Sequence, residues 1–249
     1  MHWVGMVIWP FLRILALFSV APLFGSQTIP ARIRVAVALV LSVSLAPALP
    51  AAASIDVLSA PGVLAVASEL CIGVSMGFVL QLTFAALHMA GELVATTMGL
   101  SMAQVTDPVN GVQVPVLGQF FFMVGMLLFL AMNGHLALVA MLVESFRALP
   151  VGAAGLGGDA LWAILGFAGT MFASAVKVAL PAVTALLGAN VMLGVITRSA
   201  PQLNLFAFGL PITTALGLVL LLAALPELAP AMADALDAVL GVMAGIYTR

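Results

Sequence analysis

Charge is what this chain lacks most. Of its 249 residues only 7 are Lys or Arg and 9 are Asp or Glu, 6% in all, against roughly 25% in soluble domains. With 64% hydrophobic residues, such a chain cannot clothe itself for water and belongs in or against a membrane. The net charge of −2 carries no basic block, which excludes long-range capture of nucleic acid or anionic lipid. A single cysteine, Cys71, excludes a disulfide framework or a Cys-based metal knuckle. In its apolar setting, ELCIGVSMG, it reads as a small buried thiol. The histidines, at 2, 88 and 135, are scattered, and HExxH and glycine-rich phosphate motifs are missing, so no metal, cofactor or catalytic group is expected. The N-terminal apolar segment also lacks a positive leader and is interrupted by Arg13, so it reads as a mature helix rather than a cleaved signal.

What is present is a series of apolar runs at about 3–24, 35–50, 63–89, 114–143, 161–196 and 205–225, with a weaker helix at 230–246. The first holds 12 Val, Ile, Leu or Phe residues. At about −0.3 to −0.6 kcal/mol each they outweigh roughly +3 kcal/mol for a central Arg. Arg13 is nevertheless expected to want a partner. Pro10, Pro22, Pro47, Pro181 and Pro211 lie in or at the ends of these runs, and Asn133-Gly134 punctuates the fourth, so kinked or paired half-helices are expected. The fold class is therefore all-α: roughly six apolar helices in membrane-inserted, kinked hairpins. Pro181 removes the hydrogen bond to the Lys177 carbonyl, placing a free acceptor and a cation on one residue. Arg32, Arg34 and Arg198 fall opposite Arg147 and Arg249 in a six-span arrangement, which leaves little positive-inside bias. Small residues recur at packing distance in Gly73…Gly77, Gly91…Ala95…Gly99 and Gly241…Gly245, a spacing that serves packing within the chain or between chains.

Function should be sought in the polar islands. Residues 91–120, GELVATTMGLSMAQVTDPVNGVQVPVLGQF, read as a loop, and 105–115 pack Asp-Pro and Asn-Gly turn signals together. An ordinary connector would look similar, but Met98, Met102, Gln104, Gln113 and Gln119 add flexible apolar and amide side chains of the kind that line or stopper a passage. The second island, TRSAPQLN at 197–204, reads as a hairpin turn carrying one cation. Glu69 and Glu92 cannot form an acid–base dyad on one helix, where 23 residues would separate them by about 35 Å. They, Lys177 and Arg198 are expected to serve ion pairing between helices or subunits. A helix-borne Ser101 with His88 or His135 could suggest an intramembrane protease, but Met102 replaces the small residue expected after the serine and neither histidine has a carboxylate beside it in sequence. A secondary transporter would require internally matching halves, which are not apparent.

Read together, FLRILALFSVAPLFGSQTIPARIR, ELCIGVSMGF, AGELVATTMGLSMAQVTDPVNG, PVLGQFF, LAMNGHL, SFRALPVG and NVMLGVITRSAPQLNLFAFGLPI resemble the FliR family of flagellar type III export-gate proteins over nearly the whole chain. The pattern departs from many relatives at Ala95 and Thr97. The resemblance implies a non-catalytic subunit of a helical hetero-oligomer in the bacterial inner membrane at the flagellar basal body. Its implied partners are FliP-like and FliQ-like gate proteins, an FlhB-like switch protein and unfolded flagellar export substrates. The equivalent subunit of a virulence injectisome would share fold and task. Residues 1–159 would be the P-like part and 160–249 a Q-like hairpin. Asp107, Pro108, Asn110, Gly111 and Pro115 would belong to a channel plug. Glu69, Glu92, Lys177, Arg198, Gln202 and Asn204 would serve subunit contact or ion pairing.

Overall fold

In the computed structural model, residues 2–25, 29–50, 55, 59–100, 116–152, 155–199 and 208–247 are described. The regular elements are helical: α1 His2–Val20, α2 Ala31–Leu45, α3 Ala60–Thr97, α4 Val116–Ala131, α5 Gly134–Ala148, α6 Gly158–Ser199, α7 Leu210–Ala224 and α8 Leu228–Tyr247. Short 3-10 turns, Ala46–Ala48 and Leu225–Glu227, extend α2 and join α7 to α8. Among the described residues there is no strand.

Local chemistry sets several boundaries. Ser59 Oγ accepts the Gly62 amide at 3.2 Å, capping α3 in a manner that leaves Pro61 in the first turn, where its missing N–H costs nothing. The fourth apolar run is broken into α4 and α5 at Asn133, whose φ of 58° is a left-handed conformation that Asn tolerates better than most residues. α6 instead runs as one 42-residue helix through Pro181, so that proline does not divide it into half-helices. The 91–120 island is likewise not all loop. Residues 91–97 are the last turns of α3 and 116–120 open α4; polar threonines are tolerated there because Thr96 and Thr97 return their hydroxyls to carbonyls of the preceding turn.

By length and composition, Ala31–Ala48, Ala60–Thr97, Gly158–Ser199 and Leu210–Ile246 can cross a membrane, with α4 and α5 as one further broken span. The expected first span, 3–24, differs: helix stops at Val20, and Trp9, Ile14, Leu17 and Phe18 are buried in protein.

Packing separates the chain into two units. The first takes Met1–Thr83, Phe129–Thr170 and Ala235–Arg249; the second takes Phe84–Leu128 and Met171–Asp234. These are divisions by contact, whereas a boundary at 159/160 concerns kinship between stretches of chain. Within the first unit α1 packs on α2, where Ser42 Oγ donates to the Val7 carbonyl at 2.6 Å, and on α3. A Cβ at Gly73 would strike the Arg13 carbonyl, and one at Gly77 would lie 2.8 Å from the Leu17 carbonyl. The Gly73…Gly77 spacing therefore serves close approach of helices inside the chain. In the second unit a Cβ at Gly91 would meet the Leu117 carbonyl at 2.5 Å and Gly118 Cα at 2.8 Å, so α3 and α4 also touch backbone to backbone. By contrast, nothing lies within 4 Å of a Cβ at Gly166, Gly169, Gly188, Gly194, Gly241 or Gly245.

This contrast predicts opposite signs for two alanine substitutions in the detergent-purified chain. Gly73→Ala should cost about 1–3 kcal/mol through overpacking against backbone. Gly166→Ala should stabilise by about 0.5–1 kcal/mol through helix propensity. Thermal unfolding followed by circular dichroism would read both.

Candidate functional site

The most highly organised polar site lies in the first unit, around a cation that α1 carries at its centre. Arg13 is 0% and Glu69 1% exposed. Arg13 Nε donates to Glu69 Oε2 at 2.7 Å and Nη2 to Glu69 Oε1 at 2.9 Å, the two-pronged geometry that suits a planar guanidinium to a carboxylate. Nη1 donates to Ser145 Oγ and Nη2 to the Leu149 carbonyl, both at 2.9 Å. Ser145 Oγ passes its own proton to the Leu142 carbonyl at 2.6 Å. The Phe146 ring covers the guanidinium, 3.9 Å from its carbon to the ring centroid, a cation–π contact strengthened by exclusion of water. Thus α1 supplies the cation, α3 the anion, and the end of α5 the remaining acceptors and the lid.

Folding explains the placement. Close approach at Gly73 and Gly77 brings α1 onto α3, one turn beyond Glu69. The α5 helix ends at Ala148 with Leu149 as its C-cap, and the Leu149 carbonyl is free for the guanidinium because Pro150 follows and the helix cannot continue. The sequence marked Arg13 as needing a partner and Glu69 as a pairing residue, but not Ser145, Phe146 or the Leu149 carbonyl. The available signal for these was SFRALP, a serine and aromatic at the end of an apolar helix stopped by proline.

The other residues singled out in the sequence are not brought to this site. Glu92 lies on α3 with its Oε1 buried and without a hydrogen-bond partner among the described residues. A Cβ at Gly118 would lie 2.9 Å from that oxygen and 3.0 Å from His88 Nε2, so both side chains lean over a glycine of α4. Lys177 and Arg198 are exposed on α6, and neither forms an ion pair among the described residues. Asp107, Pro108, Asn110, Gly111, Pro115, Gln202 and Asn204, together with Ser101, Met102, Gln104 and Gln113, lie outside the described residues. Gln119 is exposed. Met98, expected to line a passage, is instead fully buried, packed where Gly217 of α7 leaves room for its thioether. Cys71, expected to be buried, is exposed, because it faces away from the α1 contact made by Gly73. Among the described residues no group of three or more His, Cys, Asp or Glu side chains could hold a metal.

Helical throughout its described regular elements, with several apolar helices long enough to cross a membrane and an enclosed charge pair, the chain is an all-α membrane protein. Comparison with known proteins gives its family: residues 4–239 match the model for bacterial export proteins, family 1, and the chain belongs to that family. It is 36% identical to the flagellar biosynthetic protein FliR of Escherichia coli (strain K12) over 249 residues, covering 100% of this chain and 95% of the relative. The same-named protein of Pectobacterium carotovorum is also 36% identical, over 100% of this chain and 95% of the relative. That of Bacillus subtilis is 33% identical, over 85% of this chain and 83% of the relative.

Removing either member of the pair should cost about 3–5 kcal/mol by stranding the other charge. Arg13→Met and Glu69→Leu should each deplete the chain from membranes, and the double substitution should restore much of the level. Quantitative immunoblotting, with thermal melting of purified variants, tests the coupling. Additive losses would show that the two side chains act independently.

Proposed function

We propose that this chain is a non-catalytic subunit of the flagellar type III protein export gate, forming part of the conduit for unfolded flagellar proteins and helping to close it at rest. The flagellar reading is supported by the names of relatives that align end to end with it, and it is favoured over an injectisome subunit on the same ground.

The observation that carries the multisubunit reading is the mismatch between helix length and bilayer. α6 has 42 residues and a contour of about 63 Å at 1.5 Å per residue, roughly twice the 30 Å of hydrocarbon. Only 17% of its most apolar window is buried within the chain. Trp162, Val191 and Met192 are 74%, 68% and 67% exposed near opposite ends of it. Hydrocarbon can cover both ends only at a steep tilt, whereas apolar helices of neighbouring subunits can cover the full length. FliP-like and FliQ-like proteins are the neighbours this reading requires, with an FlhB-like protein as a further contact. It places the assembly in the inner membrane at the flagellar basal body.

Within that assembly, residues 1–159 form the P-like part and 160–249 the Q-like hairpin. Glu92, Lys177, Arg198, Gln202 and Asn204 serve contacts with neighbours; among the described residues Glu92 and Lys177 have no charge partner. Residues 105–115, with Asp107, Pro108, Asn110, Gly111 and Pro115, form the resting closure. Transport energy comes from elsewhere.

Removal of residues 110–113 should leave the gate assembled but raise ion leakage across the membrane, read by conductance or by loss of membrane potential. Normal leakage in an assembled gate would remove the closure role. Co-purification followed by intact-mass measurement should recover the P- and Q-type proteins with this chain, and its recovery as a lone monomer would refute the multisubunit reading.

A further inference from the structure

The C-terminal end of α3 is closed in an unusually complete way, and the residues that complete it come from distant parts of the chain. A helix leaves its last carbonyls without amide partners. Here the Met98 amide donates to the Val94 carbonyl at 2.9 Å, the Gly99 amide to Thr96 at 3.1 Å and the Leu100 amide to Ala95 at 3.1 Å. Gly99 has a φ of 84°. The last two bonds with a left-handed glycine constitute a Schellman motif, and they leave the carbonyls of Thr97 and Met98 as the remaining acceptors. Both are met by side chains. Asn190 Nδ2 of α6 donates to the Thr97 carbonyl at 3.1 Å, and Thr213 Oγ1 of α7 reaches the Met98 carbonyl at 3.1 Å.

Apolar contacts lock the same corner. Met98 fills the space over Gly217, and a Cβ at Gly99 would meet Leu210 Cδ2 at 2.7 Å. Thr213 is buried, 4% exposed. Its one proton has a choice, because the Gly209 and Leu210 carbonyls of its own helix also lie at 3.1 Å. The Asn190 side chain makes no other hydrogen bond among the described residues.

We infer that Asn190 and Thr213 are positioning residues: a clasp from α6 and α7 that fixes the end of α3, and with it the point at which the chain departs toward residues 105–115. This rests on the reading of those residues as the gate's closure. It extends that reading by assigning control of the closure's root to the hairpin of the C-terminal half. A neighbour that moved α6 or α7 would loosen the root by drawing Asn190 away and letting the Thr213 hydroxyl return to its own helix.

The test is amide hydrogen exchange of the 94–100 peptide in the full-length chain, purified with whatever gate proteins accompany it, alongside ion leakage in cells. Asn190→Asp keeps the size of the side chain but removes its donor. Thr213→Val removes the hydroxyl at nearly constant shape, and Thr213→Ser retains it. Each donor lost should speed exchange about fivefold, the factor corresponding to about 1 kcal/mol for a typical hydrogen bond. Thr213→Ser should behave as the parent, and the α3 amides before position 93 should be unchanged. If Thr213→Val fails to accumulate, the exposed Asn190→Asp substitution carries the test alone. Faster exchange together with leakage supports both clasp and closure. Faster exchange in a gate that stays tight both with these variants and with residues 110–113 deleted keeps the clasp and removes the closure. Unchanged exchange in Asn190→Asp overturns the clasp whatever the leakage.

Discussion

The first packing unit depends on the ion pair between Arg13 and Glu69, because no other arrangement lets α1 carry a guanidinium into an apolar interior. An isolated charge there would be prohibitively costly. The cost is offset only by the combination seen: a bidentate carboxylate, a serine hydroxyl, a helix-terminal carbonyl and an aromatic face. Replacing the whole set by hydrocarbon need not weaken a protein, since a buried pair often does no better than apolar residues of the same shape. What the pair adds is intolerance of alternatives. A shift of α1 along α3 by one turn would leave both charges unpaired, so Gly73 and Gly77 permit the contact while Arg13 and Glu69 select its register.

A second constraint runs through the exposed surface. Large apolar side chains lie open along α2, α6 and α7, among them Val40, Leu187 and Leu222. In water these would form patches far beyond those a soluble monomer tolerates. Lipid satisfies the hydrophobic demand but not the length of α3 and α6, and its hydrocarbon offers no acceptor to a polar side chain. In the multisubunit gate proposed above, sister helices would meet these requirements. The open glycines of α6 and α8 suit close helix contact, though their spacing alone names no partner.

How much of this was legible beforehand follows from the range of each interaction. Helix content and the break at Asn133 are local, and apolar runs with Asn-Gly punctuation reveal them. The need of Arg13 for a partner could also be read, because desolvation depends on the run in which it sits. The identity of the full partner set could not, since Ser145 and Leu149 come from 132 and 136 residues away. Residues 91–120 look like a loop in sequence because they form a polar stretch broken by Gly and Pro between two apolar runs. In fact the threonines bond to their own helix, and Gly91 is a contact point with α4. Met98 and Cys71 exchanged their expected settings for a reason invisible to composition: whether a small thiol or a thioether is buried depends on which face the neighbouring glycine opens, and that is decided by tertiary packing. Pro181 has the sequence signature of a helix breaker and is nevertheless accommodated within α6, because a long apolar helix can lose one internal bond without losing its direction.

The two polar devices attached to α3 differ in strength, and that difference has a mechanical meaning. Near its start, Glu69 is held by charge-assisted bonds in a fully enclosed site, which open only at a cost of several kcal/mol. Near its end, the helix is held by neutral hydrogen bonds worth about 1 kcal/mol each, one from an exposed asparagine and one from a threonine with competing acceptors. Local opening follows the weakest closed set of contacts. The end of α3 will therefore yield long before its charged anchor does. For the gate subunit proposed above, which would hold its place in an assembly while a short segment changes state, this ordering is the useful one, with the strong buried pair fixing the helix and the weak clasp marking where it would let go.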